Sequence, residues 1–438
     1  MTPHTDTAHG ASLPIGADAR VFGFFDHAAL WFSLGVGLLV MQVGALLAPA
    51  LGPPQALAAI VAGSLLGAGL LAWVAWLGCR HGLSSSALIG SALGSGFGRL
   101  PVALNIVQLL GWTAFELVIM RDGSAALLRR AGLDAAWTAP LLTLLWGGLI
   151  IALASGSMVG LVRRFVSRFG LPLVVLSLAW LSWQFGGRLA DAGWQAWWSR
   201  PGSGGMSTLQ ALDLVIAMPV SWLPLVADYA RYGRHTGSAL RGTWLGYALA
   251  NIWCYTLGVM VVSTATPDTD LVTSLLLAQG GLIALGLILI DEADNAYGDV
   301  HSGAVSLHFA SRARWSIRRA GMVLAALATG AALWLPMHSL EPFLLLLSSV
   351  FVPLFGVVIA QITFGGLPSA RTVHLGPALV WIAGIACFHL GSRYWPQWGS
   401  ALPALAFTLL ATGVLRLRAT AAAPARAGTP AGASARPK

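Results

Sequence analysis

Long apolar runs alternate with short polar connections along almost the whole chain. A run of about 17–25 apolar residues is long enough to cross the hydrocarbon core of a bilayer as an α-helix. Twelve runs, numbered here as spans one to twelve, have this character: 27–50, 55–77, 102–121, 137–156, 171–188, 208–230, 241–264, 276–298, 318–336, 340–363, 373–391 and 399–416. The pattern predicts an all-α polytopic membrane protein with about twelve transmembrane helices.

Composition supports this prediction and excludes a soluble enzyme. Of the 438 residues, 57% are hydrophobic and only 9% are charged, whereas a soluble domain carries about 25% charged residues. No polar stretch is long enough to form a separate soluble domain. The three cysteines are far apart and have no metal-ligand spacing, so we interpret them as apolar packing residues.

The positive charge follows membrane topology rather than nucleic-acid binding. The net charge is +9, and nineteen of the 25 Lys and Arg residues fall on one side of the alternating array, including the clusters at 163–168 and 312–319. Cytoplasmic loops of membrane proteins carry this excess of Lys and Arg. We therefore predict a location in the cell inner membrane with both termini in the cytoplasm, namely an N-terminal segment at 1–26, without a signal peptide, and a disordered tail at 419–438.

Two spans are predicted to be interrupted helices. Span one is rich in glycine around Gln42, and in span six Pro219 and Pro224 enclose the pair Ser221-Trp222. Proline removes a backbone donor and clashes with the preceding turn, and broken spans in corresponding positions are typical of a transporter built from inverted repeats. Spans one and six are five apart, which favours a five-plus-five arrangement with two added helices. The predicted units are repeat one at 27–188, repeat two at 208–363 and spans eleven and twelve at 373–416.

A carboxylate and an indole share one face of span three. Trp112 and Glu116 are four residues apart, so both project from the same side of a helix. The indole offers a surface on which a flat heterocycle can stack, and the carboxylate can bind the edge of that ring. A packing tryptophan with a paired glutamate is the structural alternative. We favour the ligand interpretation because a carboxylate in mid-membrane is costly without a function.

Span eight concentrates acids. Asp291, Glu292, Asp294 and Asp299 lie within nine residues, and they cannot all face lipid. Spacings of three to five place Asp291, then Asp294 or Asn295, then Asp299 or Ser302 on one inward stripe. Oxygen ligands of this kind suit a monovalent cation or a proton relay. The alternative is a loop outside the membrane, but apolar residues on both sides argue against it.

The remaining acids near span ends are expected to be solvated. Asp228 is followed by Arg231, and the other members of this group are Asp268, Asp270 and Glu341. A charged side chain at a helix end reaches the aqueous interface at little cost.

Three stretches carry a resemblance to a known family: Trp31 to Pro49, Ser221 to Tyr232, and Ser349 to Gly356. Through them the chain resembles the nucleobase–cation symporter-1 family, which comprises permeases for cytosine, purines, allantoin and hydantoins with a leucine-transporter-like fold. The likeness covers essentially spans one to ten. Within the family, residues 291–297 and 301–307 look most like the branch of hydroxymethylpyrimidine transporters. The resemblance implies import of a planar pyrimidine, hydroxymethylpyrimidine or cytosine, by cation symport.

The resemblance also implies a substrate site. In the family, a tryptophan on span three and another at the break of span six enclose the planar ring, and these match Trp112 and Trp222. The residues implied to complete the site are Gln42, Glu116, Ser221, Asn295 and Asp299.

The family's cation site combines backbone of span one with small or hydroxyl residues of span eight. By resemblance these positions are Leu38 and Met41 on span one, and Ile290, Ala293 and Asp294 on span eight. The expected hydroxyl residues are replaced by Ala293 and Asp294. This departure puts sodium in doubt and makes a proton an alternative coupling ion.

Other classes of protein fit the residues less well. An amino-acid symporter of the same fold is the main alternative, and it requires free backbone N–H groups at the break of span one to bind a carboxylate. A polytopic membrane enzyme requires a nucleophile and base, or a metal motif such as HExxH, that the sequence lacks. A channel or receptor does not account for the two broken spans. We expect no cofactor, a small-molecule substrate, lipid as the surroundings and no nucleic acid; the oligomeric state stays open.

Overall fold

The structure, a computed structural model, describes residues 13–156, 170–266, 271–335 and 340–421. These residues are helical and contain no β-strand. The arginines at 163–168, Asp268 and Asp270, residues 1–12 and most of the predicted tail lie outside the described residues. The last helix ends at Ala421, so the first three residues of the predicted tail at 419–438 are helical.

The helices, numbered in chain order, fill all twelve predicted spans. They are α1 Phe24–Ser33, α2 Leu38–Leu47, α3 Pro53–His81, α4 Ser85–Leu93, α5 Arg99–Arg130, α6 Thr138–Ala154, α7 Leu171–Ala192, α8 Trp194–Trp198, α9 Thr208–Ser221, α10 Leu223–Ala230, α11 Thr236–Thr264, α12 Leu271–Leu276, α13 Gly281–Ala310, α14 Ile317–Trp334, α15 Leu340–Thr363, α16 Leu375–Tyr394 and α17 Ala401–Ala421. Short 3₁₀ turns at Ala17–Ala19 and Pro396–Trp398 complete the described elements.

Eight of the described helices are long and apolar enough to cross a membrane, or nine if α1 and α2 count as one bent span. A multi-pass membrane protein is therefore confirmed, and the number twelve remains a prediction. Span one is α1 and α2, which meet at an angle of 63°. Span six is α9 and α10, which are separated only by Trp222 and read as one apolar span of 23 residues.

Small residues bring span six close to α3. A Cβ atom added at Gly67 would lie 2.3 Å from Pro219, and one added at Gly78 would lie 2.5 Å from Ala227. Helices in lipid associate through such close packing because burying apolar surface gives no advantage there. Glycine on α3 therefore holds both halves of span six against the bundle.

The prediction that Asp228 is solvated was wrong. Asp228 is 0% and Arg231 1% exposed, because the end of α10 packs against α4 inside the bundle. The Asp228 carboxylate accepts the Ser85 N–H at 2.9 Å, and the Ser85 hydroxyl accepts the Ala227 N–H at 3.0 Å. Arg231 donates from Nε to the Asp228 carbonyl at 3.2 Å. Hydrogen bonds across the two helices replace the solvent that the sequence pattern predicted.

Candidate functional site

The break of span one is held by side chains of span eight. The chain leaves the helical path after α1, and the first N–H of α2, that of Leu38, donates to the Glu292 carboxylate at 2.5 Å. Asn295 donates to the Val36 carbonyl at 3.1 Å and to the other Glu292 oxygen at 3.4 Å. A Cβ at position 37 would come within 2.8 Å of the Glu292 carboxylate, so glycine at this position leaves room for the contact. Span eight thus supplies the Glu292 carboxylate as acceptor for the Leu38 N–H, and the Asn295 amide as donor to the Val36 carbonyl.

The break of span six is held by neutral donors. Pro219 has no N–H, and the carbonyl of Val215, four residues earlier, accepts the Tyr255 hydroxyl at 3.1 Å instead. Gln108 of span three donates to the Ser221 carbonyl at 3.0 Å. These contacts place Trp222, the residue between α9 and α10, against the centre of the bundle.

The two predicted tryptophans line one small cavity between the broken spans. The cavity has a volume of about 20 Å³, and Glu116, Glu292 and Asn295 line it together with Trp112 and Trp222. A volume of this size holds about one water molecule. The cavity is therefore too small for a planar heterocycle, and the pocket is closed in this structure.

Aromatic contacts fix both indoles. Trp222 meets the edge of Trp31, with ring centroids 6.0 Å apart and planes at 86°. Trp112 meets Phe343 of α15 at 5.1 Å in the same edge-to-face manner. Such pairs contribute about 0.5–1.5 kcal/mol beyond burial of area, so the indole planes are held in place on their outer sides.

Three polar atoms around the small cavity have no hydrogen-bond partner among the described residues. They are Nε1 of Trp112, one carboxylate oxygen of Glu116 and the side-chain oxygen of Asn295. A buried polar group left unpaired costs about 1–3 kcal/mol. One donor and two acceptors are thus available to a polar ligand between two indole rings.

Five acids gather at the centre without a basic partner. Glu116, Asp291, Glu292 and Asp299 are buried, and Asp294 is partly buried. Among the described residues, Arg121 and Asp122 form an ion pair, and this pair lies outside the group of five acids. Burying unpaired charge is strongly unfavourable. Protons or a bound cation must therefore offset the charge of this cluster.

The sequence of this chain matches a known protein family. The family described as "Permease for cytosine/purines, uracil, thiamine, allantoin" matches residues 14–375. The chain belongs to this permease family. It is therefore a transporter and not an enzyme, and the predicted resemblance to nucleobase–cation symporters is confirmed at the level of the family.

Relatives and solved structures agree with this assignment. The cytosine permeases of Escherichia coli O157:H7 and of strain K12 are each 24% identical to this permease over 320 residues, 69% of this chain and 69% of theirs. Mhp1, a nucleobase-cation-symport-1 family transporter, in a closed conformation with bromovinylhydantoin bound, has a TM-score of 0.77 at 16% identity and covers 95% of this chain and 96% of its own. Inward-facing Mhp1 has a TM-score of 0.76 at 16% identity, with 96% of each chain covered.

A more distant structure shares the architecture. A Na⁺-coupled sialic acid symporter has a TM-score of 0.64 at 14% identity and covers 93% of this chain and 92% of its own. At such low identities the likeness shows the fold alone. The predicted all-helical transporter fold is thus confirmed, and the hydroxymethylpyrimidine branch stays a prediction.

The permease brings together four of the seven residues predicted for the substrate. Trp112, Glu116, Trp222 and Asn295 line the small cavity. Asp299 is buried on the same helix, four residues after Asn295. The Ser221 hydroxyl donates to the Met218 carbonyl at 2.7 Å within its own helix. Gln42 lies elsewhere and lines a separate, larger cavity.

The predicted cation residues are more dispersed. The Ser33 hydroxyl of α1 donates to Asp291 at 2.7 Å. Asp294 lies three residues after Asp291 on α13 and has a carboxylate oxygen without a hydrogen-bond partner among the described residues. Ala293 is buried, whereas the Ile290 side chain is 52% exposed.

The two predicted cation residues of span one, Leu38 and Met41, lie after the break, in α2. The Leu38 N–H is bound by Glu292, and the Met41 carbonyl faces α11, since a Cβ at Gly258 would lie 2.0 Å from it. The described residues contain no group of three His, Cys, Asp or Glu side chains that could hold a metal ion.

Glu292 and Ser33 hold the break of span one to span eight, although neither was among the predicted substrate or cation residues. Glu292, Asn295 and Asp299 have the spacing i, i+3, i+7 of one helical face, a signal that was available. No pattern in the sequence pointed to Ser33, because its partner Asp291 is 258 residues away in the chain.

Proposed function

We propose that this permease imports a neutral planar pyrimidine, hydroxymethylpyrimidine or cytosine, together with a cation by alternating access. The carrying observation is the set of unpaired polar atoms on Trp112, Glu116 and Asn295 in a cavity shared with Trp222. The two indoles would stack on the faces of the ring once the pocket opens. The family description and the cytosine permease relatives support this substrate class.

Glu116 is the group proposed to read the ring edge. A glutamate accepts from the exocyclic amine of cytosine in nucleic-acid recognition, and hydroxymethylpyrimidine also carries a ring amine. The unpaired oxygen of Glu116 is available for such a bond. Amino-pyrimidines are therefore preferred over ring systems that carry only carbonyl groups.

The break of span one argues against the amino-acid alternative. A carboxylate substrate would bind free N–H groups at the start of the second half-helix. In this permease the Leu38 N–H is bound by Glu292, an acid of the protein itself. A substrate carboxylate would also meet the negative charge of the central cluster.

Asp294 is proposed to carry the coupling ion. It lies three residues after Asp291, which contacts α1 through Ser33, and it has a carboxylate oxygen without a hydrogen-bond partner among the described residues. A proton satisfies this group without further ligands, and sodium is the alternative. We place the permease in the cell inner membrane with both termini cytoplasmic, with repeats at 27–188 and 208–363 and spans eleven and twelve at 373–416 outside the repeats.

The ring site is tested by substituting the tryptophans. Trp112→Ala and Trp222→Ala should each weaken binding of cytosine or hydroxymethylpyrimidine by roughly tenfold to a hundredfold, because base stacking contributes about 1–3 kcal/mol per ring. Equilibrium binding to purified protein measures this effect. Trp183→Ala, at a side chain that is 77% exposed, is the matched control. Wild-type affinity in both single variants would contradict the proposal.

Energy coupling is tested at Asp294. Asp294→Asn should abolish accumulation against a gradient in proteoliposomes, while exchange of substrate is partly retained because the ring pocket is separate. Asp191→Asn, at an exposed acid that ends α7, is the control. Accumulation that requires sodium and ignores a collapsed pH gradient would exclude the proton. Full accumulation by the Asn variant would remove Asp294 from the mechanism.

A further inference from the structure

A cavity of about 370 Å³ lies beside the tryptophan cavity and is far larger than it. Its wall comes from Leu38 and Gln42 of α2, from Ile119, Asp122 and Arg129 of α5, and from the start of α12. Binding sites for small molecules commonly have volumes of about 300–1,000 Å³. This cavity is large enough for a pyrimidine without any movement of helices, whereas the tryptophan cavity is not.

The two cavities follow one another along the same helices. On α5, Glu116 lines the small cavity, and Ile119, Asp122 and Ala126 line the large one. Spacings of three and four residues put these positions on one helical face. On α2, Leu38 lines the large cavity, and its N–H is bound by Glu292, which lines the small one. A ligand in the large cavity is therefore next to the closed tryptophan pocket.

The wall of the large cavity combines apolar surface with groups that bind the edge of a heterocycle. Leu38, Ile119 and Ala126 are apolar, whereas the Gln42 amide can both donate and accept hydrogen bonds. Arg129 adds a guanidinium, and Asp122 is already paired with Arg121 at 2.7 Å. A neutral ring with amide-like and amine edges suits this lining, because Asp122 is already paired and the exposed Arg129 keeps its charge in solvent.

We propose that the 370 Å³ cavity is a second binding site for the transported pyrimidine, occupied before the tryptophan pocket opens. Gln42 then acts on substrate at this site and not between the tryptophans. The inference rests on the proposed function and adds a site to it. It assigns the permease two neighbouring pyrimidine sites, of which only the tryptophan pocket depends on stacking.

Stoichiometry tests the inference. Equilibrium dialysis of purified permease with radiolabelled cytosine, and in parallel with radiolabelled hydroxymethylpyrimidine, should give two bound molecules per protein. Ala126→Trp, which fills the large cavity, should leave one molecule bound with the tighter affinity. Trp222→Ala should weaken the tighter phase by about tenfold or more and leave the weaker phase unchanged. Val107→Trp, at an exposed position of α5, is the control and should bind two.

A second variant, with a smaller change in the large cavity, tests the same site if Ala126→Trp does not fold. Gln42→Ala should weaken the weaker phase and leave the tighter affinity unchanged. A tenfold loss of the tighter affinity in Gln42→Ala would place Gln42 in the tryptophan pocket and overturn the inference. If the wild-type protein binds one molecule and Trp222→Ala binds none, the second site is wrong and the proposed substrate class is retained. Absence of any pyrimidine binding would overturn the proposed substrate class and the second site with it.

Discussion

The two interrupted spans of the bundle are stabilised by different chemistry. In span one, a backbone donor at the break, Leu38 N–H, is bound by the carboxylate of Glu292. In span six, backbone acceptors are bound by the neutral side chains of Gln108 and Tyr255. Span one bends by 63° at its break, and span six is interrupted at a single residue, Trp222.

The difference assigns a separate task to each break. The start of a half-helix carries partial positive charge, which attracts an anion, and Glu292 provides that anion from within the protein. Cation coupling can then act through acids that already contact span one. The break of span six is uncharged in its contacts, which suits a neutral ring beside Trp222. We infer that the charged contacts gather at the break of span one and the stacking surface at the break of span six, with Glu292 and Asn295 of span eight next to both.

The largest effect is expected from removing the charged contact. Glu292→Ala leaves the Leu38 N–H buried without its acceptor, at a cost of about 1–3 kcal/mol, and removes an acid from the central cluster. Uptake of cytosine or hydroxymethylpyrimidine into proteoliposomes should be abolished, and the thermal unfolding midpoint should fall. Glu292→Gln keeps an acceptor oxygen and should retain part of the stability.

Glu341→Ala, at a partly exposed acid of α15, controls for loss of an acid far from the break. Wild-type uptake and stability in Glu292→Ala would show that the break of span one does not depend on this contact. Equal loss in Glu292→Ala and Glu292→Gln would indicate that charge matters more than the hydrogen bond.

An intermediate effect is expected at Gln108. Its amide donates to the Ser221 carbonyl at 3.0 Å and to Asn105 at 2.9 Å, so Gln108→Leu unpairs acceptors beside Trp222. The cost is about 1–3 kcal/mol, and substrate affinity should fall roughly threefold to tenfold while the cation dependence of uptake is unchanged. Gln195→Leu, at an exposed position of α8, is the control. A changed cation dependence would mean that the two breaks do not have separate tasks.

The smallest effect is expected at Tyr255. Tyr255→Phe removes the hydroxyl that binds the Val215 carbonyl at 3.1 Å, a single neutral hydrogen bond worth about 1 kcal/mol. Uptake should change by less than about twofold, with a small decrease in the unfolding midpoint. Tyr394→Phe, at an exposed side chain, provides the comparison. A loss as large as that of Glu292→Ala would show that span six depends on this one contact as strongly as span one depends on its acid.

Local patterns in the sequence determined much of the fold and part of the candidate site. Apolar runs located the helices, because a bilayer demands long uncharged segments with internal hydrogen bonds. Pro219 and Pro224 located the interruption of span six, since proline acts within its own turn. The spacing of Trp112 and Glu116 placed them on one face, and the structure brings both to one cavity.

Only the tertiary structure decided how side chains from distant spans meet. The break of span one lies between α1 and α2, before the predicted residues Leu38 and Met41, and its partner Glu292 is 254 residues away. Asp228 at a span end is buried because α4 covers it. Hydropathy and helical periodicity describe each span alone, whereas the partner of a freed backbone group depends on which helix packs against it. For this reason the sequence predicted the interrupted spans, and only packing assigned their contacts.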